Sequence, residues 1–88
     1  MKKQVIVVAS SGWVFVGTPA AAPAPDAYAL EDAAVIRKWG TDRGIGQLAL
    51  HGVTPETILD PVGKLVINRT NLICLLEVQA PEGIKIPW

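Results

Sequence analysis

Apolar residues come along this chain in short, β-branched runs separated by Gly, Pro and Asn, and only one brief stretch carries helical spacing. Gln4 to Ala9 is such a run, Ser10-Ser11-Gly12 supplies a turn, and Trp13 to Val16 follows as a second strand, so the pair reads as a hairpin. Gly17 to Pro25, GTPAAAPAP, lacks the amide donors and bulky side chains that a sheet core needs, and residues 17–27 are expected to form an Ala/Pro-rich surface loop. Asp26 to Asp32 leads into a strand from Ala33 to Trp39. Its alternation sets Val35, Arg37 and Trp39 on one face and Ala34, Ile36 and Lys38 on the other.

Gly40 to Gly46 reads as a loop, because its closely spaced glycines would cost a regular element too much backbone entropy. Ile45 to Leu50 has room for about one and a half helical turns, stopped by Gly52. Thr54-Pro55-Glu56 is a helix start or turn with Thr54 as its cap, and Asp60-Pro61-Val62-Gly63 is a turn. Lys64 to Ile67 and Leu72 to Val78 then pair as a second hairpin across Asn68-Arg69-Thr70-Asn71. Ile84 and Ile86 suggest a short edge strand, and Trp88 is a candidate to pack on a neighbouring subunit. The expected fold is mainly β: a small barrel or two-layer β fold of five to six short strands with one short helix, in a single domain over residues 1–88.

Composition adds an expectation of self-association. The chain has 88 residues, half of them hydrophobic, and a mean hydropathy of +0.34, which is more apolar surface than so small a domain can hide alone. A homo-oligomer is expected. Eight basic and eight acidic residues cancel, so no overall field draws the chain to extended nucleic acid or to anionic lipid, and any anion recognition must be local. The single cysteine, Cys74, excludes an intramolecular disulfide and a Cys-based zinc site; within LICLLEV it reads as a small buried hydrophobe. Two early lysines, an apolar stretch and small residues imitate a secretory leader, but Ser10, Ser11 and Gly12 interrupt the stretch and favour two strands with a turn. No apolar run reaches transmembrane length.

Candidate chemistry concentrates between Ala33 and Asp60. Gly44-Ile45-Gly46-Gln47-Leu48-Ala49 satisfies G-x-G-x-x-A, yet Gly52 and Pro55 break the following helix too early for a dinucleotide-binding βαβ unit. Arg37, Lys38 and Arg43 flank Trp39, Gly40 and Thr41. Glycines expose backbone N–H groups, a guanidinium grips phosphate bidentately and an indole stacks on a base, so Arg37, Lys38, Trp39, Thr41, Arg43, Gly44 and Gly46 form a candidate nucleotide site. The competing reading makes Trp39 core, Arg37 and Lys38 strand-edge charges that discourage aggregation, and the glycines plain turns. His51 stands alone, which removes a Ser/His/Asp triad and a multi-histidine metal site, and it suits a helix end better than a base. Nothing in the spacing of Asp42, Glu56 and Asp60 builds a hydrolase, and Asn68-Arg69-Thr70 is a bare glycosylation tripeptide. No enzyme, cofactor or metal is expected.

The stretch WGTDRGIGQLALHGVTPETILDPVG resembles an uncharacterised family of small proteins encoded in phage and prophage genomes. The resemblance spans about Ala33 to Val78, with a looser match in the leading strands. It rests on Trp39-Gly40-Thr41, Arg43-Gly44 and Leu59-Asp60-Pro61, with Asp42 where a second threonine often stands. It implies a phage setting and a cytoplasmic location in the infected bacterial cell. Joined to the basic loop, it leads to the expectation of a small protein that binds, and by binding sequesters, a nucleotide-like immune signal. The alternative is a phage structural or protein-interaction module with no small-molecule ligand.

Overall fold

A computed structural model describes residues 3–87. Five strands, β1 (Val5–Ala9), β2 (Val14–Ala20), β3 (Ala27–Lys38), β4 (Ile58–Asn68) and β5 (Leu72–Glu77), form one sheet in the order β4-β3-β2-β1-β5. All four pairings are antiparallel. One short helix, α1 (Ile45–His51), lies between β3 and β4. The mainly β class with a single short helix is as expected. The sheet is not closed: no ladder joins β4 to β5, so each is an edge.

The first hairpin forms as its residues dictate. Ser11 (φ 64) and Gly12 (φ 79) take the left-handed conformations of a tight reversal, and the Ala9 N–H donates to the Trp13 carbonyl at 2.8 Å. Other expectations need correction, the first being the strand expected from Ala33 to Trp39, which begins at Ala27 and ends at Lys38 because the 26–32 segment pairs with β2 and β4. β2 does not stop at Val16 but runs to Ala20, taking Gly17 to Ala20 out of the anticipated surface loop. Proline is tolerated there because the β1 ladder ends at Val5–Gly17, so Pro19 has a strand partner only on its β3 side and its missing N–H costs no ladder bond on the other. The expected turn at Asp60 to Gly63 is strand, paired through Pro61–Ala34 and Gly63–Ala33 with a register shift between them. Pro61 fits because β4 is an edge and the irregularity absorbs it. Lys64 to Ile67 pairs with β3 and Leu72 to Glu77 with β1, so the anticipated second hairpin does not exist. Adjacency in sequence misled here: the 3-10 turn Arg69–Asn71 carries the chain from one edge of the sheet to the other.

Alternation along the strands divides the core into two clusters. One face collects Ile6, Val14, Val16, Ala34, Ile36 and Leu59, covered by Leu48 and Ala49 of α1 and by Val78 and Ile84 of the C-terminal segment. The other collects Val7, Ala9, Phe15, Leu30, Ala33 and Ile67, with Val35 packed against them and no helix above. Leu48 is fully buried, and the Gly52 N–H closes α1 on the Leu48 carbonyl at 2.9 Å.

The segment after β5 crosses the helix end, where the Ala49 carbonyl accepts from Gln79 N at 2.7 Å and Ala80 N at 3.1 Å. It is then held by a side chain acting as a strand would. The Gln4 amide donates from Nε2 to the Ile84 carbonyl at 2.8 Å, while its Oε1 accepts from Ile84 N at 2.7 Å. No strand forms around Ile84 and Ile86, in place of the expected edge strand, and Trp88 lies outside the described residues. Cys74 is exposed on the β5 edge instead of buried, because no further strand or helix covers that edge.

Candidate functional site

The loop following β3 is shaped by hydroxyls from a later segment. Thr54 Oγ1 donates to the Gly40 carbonyl at 2.5 Å, and Thr57 Oγ1 donates to the Trp39 carbonyl at 2.7 Å. Thr57 Oγ1 also accepts from Thr54 N at 2.9 Å, and Thr54 Oγ1 accepts from Glu56 N at 3.1 Å, so Thr54-Pro55-Glu56-Thr57 is a turn whose side chains grip the loop. Gly40 makes the approach possible. It has φ +70, and a Cβ there would collide with the Glu56 carbonyl carbon and Thr57 nitrogen.

Within this frame the seven candidate residues fall into two groups. Arg37 is committed to Asp60, through Nε at 2.8 Å and Nη2 at 3.3 Å, across neighbouring strands. Lys38 has a looser partner, Glu56, at 4.0 Å. Both pairs are largely solvated, so each contributes about 0 to 1 kcal/mol. The Thr41 hydroxyl donates to the Gly44 carbonyl at 2.5 Å, which ties the loop back on itself. Trp39 is 41% exposed and its ring edge lies over Gly44, where a Cβ would sit 3.6 Å from Cζ3. Arg37 and Lys38 thus face carboxylates, while Trp39, Thr41 and Gly44 pack on or bond to one another within the loop.

Arg43 differs. Its backbone N–H donates to Gln47 Oε1 at 3.0 Å, a side chain reaching back from the first turn of α1, but its guanidinium has no partner among the described residues. With Gly46, Gln47, Leu50 and His51 it lines a shallow cavity of about 390 Å³. Arg43 and Gly46 therefore stand together, apart from the Arg37–Asp60 pair. Among the described residues no polar side chain is buried, no buried side-chain nitrogen or oxygen lacks a partner, and no group of three or more His, Cys, Asp or Glu side chains is arranged for a metal.

Two features escaped the sequence reading. Trp13 and Phe15 stack with centroids 5.9 Å apart and planes 4° from parallel; their i, i+2 spacing was the available signal. The other is the character of the two edges. Val62, Val66, Ile73 and Leu75, half of the eight large hydrophobics exposed among the described residues, lie on β4 and β5. That distribution needed the strand order, which no local pattern supplies.

No family model matches the chain, and no curated protein does. Among solved structures, a heptameric archaeal Sm protein, determined for its implications for the eukaryotic snRNP core, shares its fold. The two superpose with a TM-score of 0.57 over 88% of this chain and 87% of that one, at 21% sequence identity. The fold is Sm-like. Among the described residues no helix is long and apolar enough to cross a membrane.

Proposed function

We propose that this protein is a self-assembling module whose copies join edge to edge through β4 and β5 into a homo-oligomer. One observation carries the proposal: both edges of the open sheet lack a strand partner and expose aliphatic side chains, Val62 and Val66 on β4, where they alternate with Pro61 and Lys64, and Ile73 and Leu75 on β5, each aliphatic 45 to 66% exposed. Proteins that stay monomeric blunt such edges with charge, proline or bulges, or cover them; β4 carries Pro61 and Lys64, whereas β5 has no charge before Glu77 and is the less protected of the two. Joining β4 of one copy to β5 of the next uses two different surfaces, so the contact repeats until a ring closes. The similarity in fold to a heptameric protein supports a ring over an open filament. In the phage setting that the sequence resemblance implies, this is a particle component or a partner-binding module.

The test is solution mass by light scattering at several concentrations. Wild type is expected as a discrete oligomer, and Val66→Lys combined with Ile73→Lys as a folded monomer, since buried like charges at a strand pair are destabilising. A monomeric wild type sinks the proposal.

A second reading is favoured by Arg43 alone: that this unpaired guanidinium, with Gln47 and His51 beside it, holds the phosphate of a nucleotide-like signal and sequesters it. Thermal-shift titration with cyclic dinucleotides and ADP-ribose tests it. Stabilisation that Arg43→Ala weakens by about ten- to a hundredfold in affinity is expected, from a charge-assisted contact of roughly 1.5 to 3 kcal/mol. Absence of any shift at millimolar ligand removes it.

A further inference from the structure

We infer that the apolar cup beneath Trp13, on the sheet face that no helix covers, is a binding site for a flat, neutral, nitrogen-containing ring system of bicyclic size. The cup has a volume of about 450 Å³, within the range of small-molecule sites. Its floor is aliphatic, from Val35, Leu65 and Ile67, and the Trp13–Phe15 stack forms one wall. The two rings divide the work. Phe15 is buried and anchors the stack in the core cluster, whereas Trp13 is 55% exposed. The stack on Phe15 orients the Trp13 indole, and the Ala9–Trp13 backbone bond of 2.8 Å closes the turn that carries it. A rigid indole left this open offers a planar surface at little further ordering cost.

The rim sets the chemistry of the occupant. The polar side chains lining the cup are Ser10, Asn68 and Asn71, and no charged side chain lines it. Asn68 Oδ1 is already engaged by Thr70 N at 3.0 Å and Thr70 Oγ1 at 2.9 Å, which fixes the rim and leaves the Asn68 amide nitrogen unused. The Asn71 side chain has no partner among the described residues, so its carbonyl and amide both remain available. An aromatic wall beside a neutral amide rim fits a heterocycle that stacks by its face and hydrogen-bonds by its edge. A phosphate or an ammonium group would find no counter-charge here. Arg43 lines a different cavity, whereas Val66 belongs both to this cup and to the β4 edge proposed for assembly, so binding is read on the assembled wild-type chain.

The full chain, in whatever assembly it forms, is titrated calorimetrically with adenine, benzimidazole, AMP and the saturated control cyclohexanecarboxamide. Saturable binding of adenine and benzimidazole is expected, with no gain for AMP over adenine and none for the saturated amide. Trp13→Ala should weaken adenine binding by tenfold or more. Asn71→Ala, at an exposed rim position that leaves the wall intact, should weaken it several-fold, while Lys85→Ala, outside the cup, leaves it unchanged. The inference is overturned if neither heterocycle saturates at its solubility limit, if AMP binds more than tenfold tighter than adenine, or if both Asn71→Ala and a folded Trp13→Ala bind adenine as wild type does.

Discussion

The loop after β3 and the sheet's two edges make opposite use of their residues. In and beside the loop, chemically conspicuous groups are engaged by the protein itself: two threonine hydroxyls hold backbone carbonyls, Arg37 at the end of β3 pairs with Asp60 at the surface, and Thr41 closes on Gly44. Along the edges, plain aliphatic side chains and unpaired backbone groups are turned outward. Polar richness in a short loop therefore reports how the loop is built as readily as what it binds. The better indicator of a partner here is apolar surface left exposed on a strand that has a free side.

The sharpest way to break the comparison is at Gly40. Gly40→Val sets a β-branched side chain at φ +70 against the Glu56–Thr57 backbone, with no room to move. Left-handed strain alone costs about 1 to 3 kcal/mol, and the clash adds to it. Chemical denaturation should show the loss of a large part of total stability, and an unchanged midpoint would show that the 54–57 turn is free to step aside. Thr54→Val comes next. It removes the donor to Gly40 and the acceptor for Glu56 N while nearly preserving shape, and is expected to cost about 1 to 3 kcal/mol. Its companion readout is faster amide exchange at Glu56. The smallest expected effect is at Arg43. Arg43→Ala leaves the backbone bond to Gln47 in place and should change stability by no more than about 0.5 kcal/mol. A larger loss would assign the guanidinium a structural role and weaken the nucleotide reading.

Strands, turns and the helix were legible where local residues alone decide them. Val5 to Ala9, the Ser11–Gly12 reversal, the alternation of Val35 against Ile36 and the Gly52 stop all follow from side-chain shape and backbone preference. Pairing was not legible. Leu72 to Glu77 looks like the natural partner of Lys64 to Ile67 across a short turn, but that turn is a 3-10 step between opposite edges of the sheet. The prolines misled in the same way: Pro19 and Pro61 are breakers in a central strand and harmless where one side has no partner, and which side is free depends on the whole sheet. For the candidate site, the sequence brought the right residues to one loop. It did not reveal that Asp60 and the Thr54–Thr57 turn would occupy most of their capacity.

The Gln4 clasp also governs when the molecule can become itself. Its two hydrogen bonds join positions 80 residues apart, and Ile84 beside them belongs to the same apolar cluster as Ile6. Closing so long a span is entropically the most demanding of the internal contacts, and it rewards the chain only after the intervening strands are ordered. During synthesis, the first strand has to wait for residue 84 before its covered face is complete. Folding of this sheet is therefore completed only once residue 84 has emerged, and until then the face lined by Ile6, Val16 and Ile36 is open to whatever in the cell binds exposed β-strands.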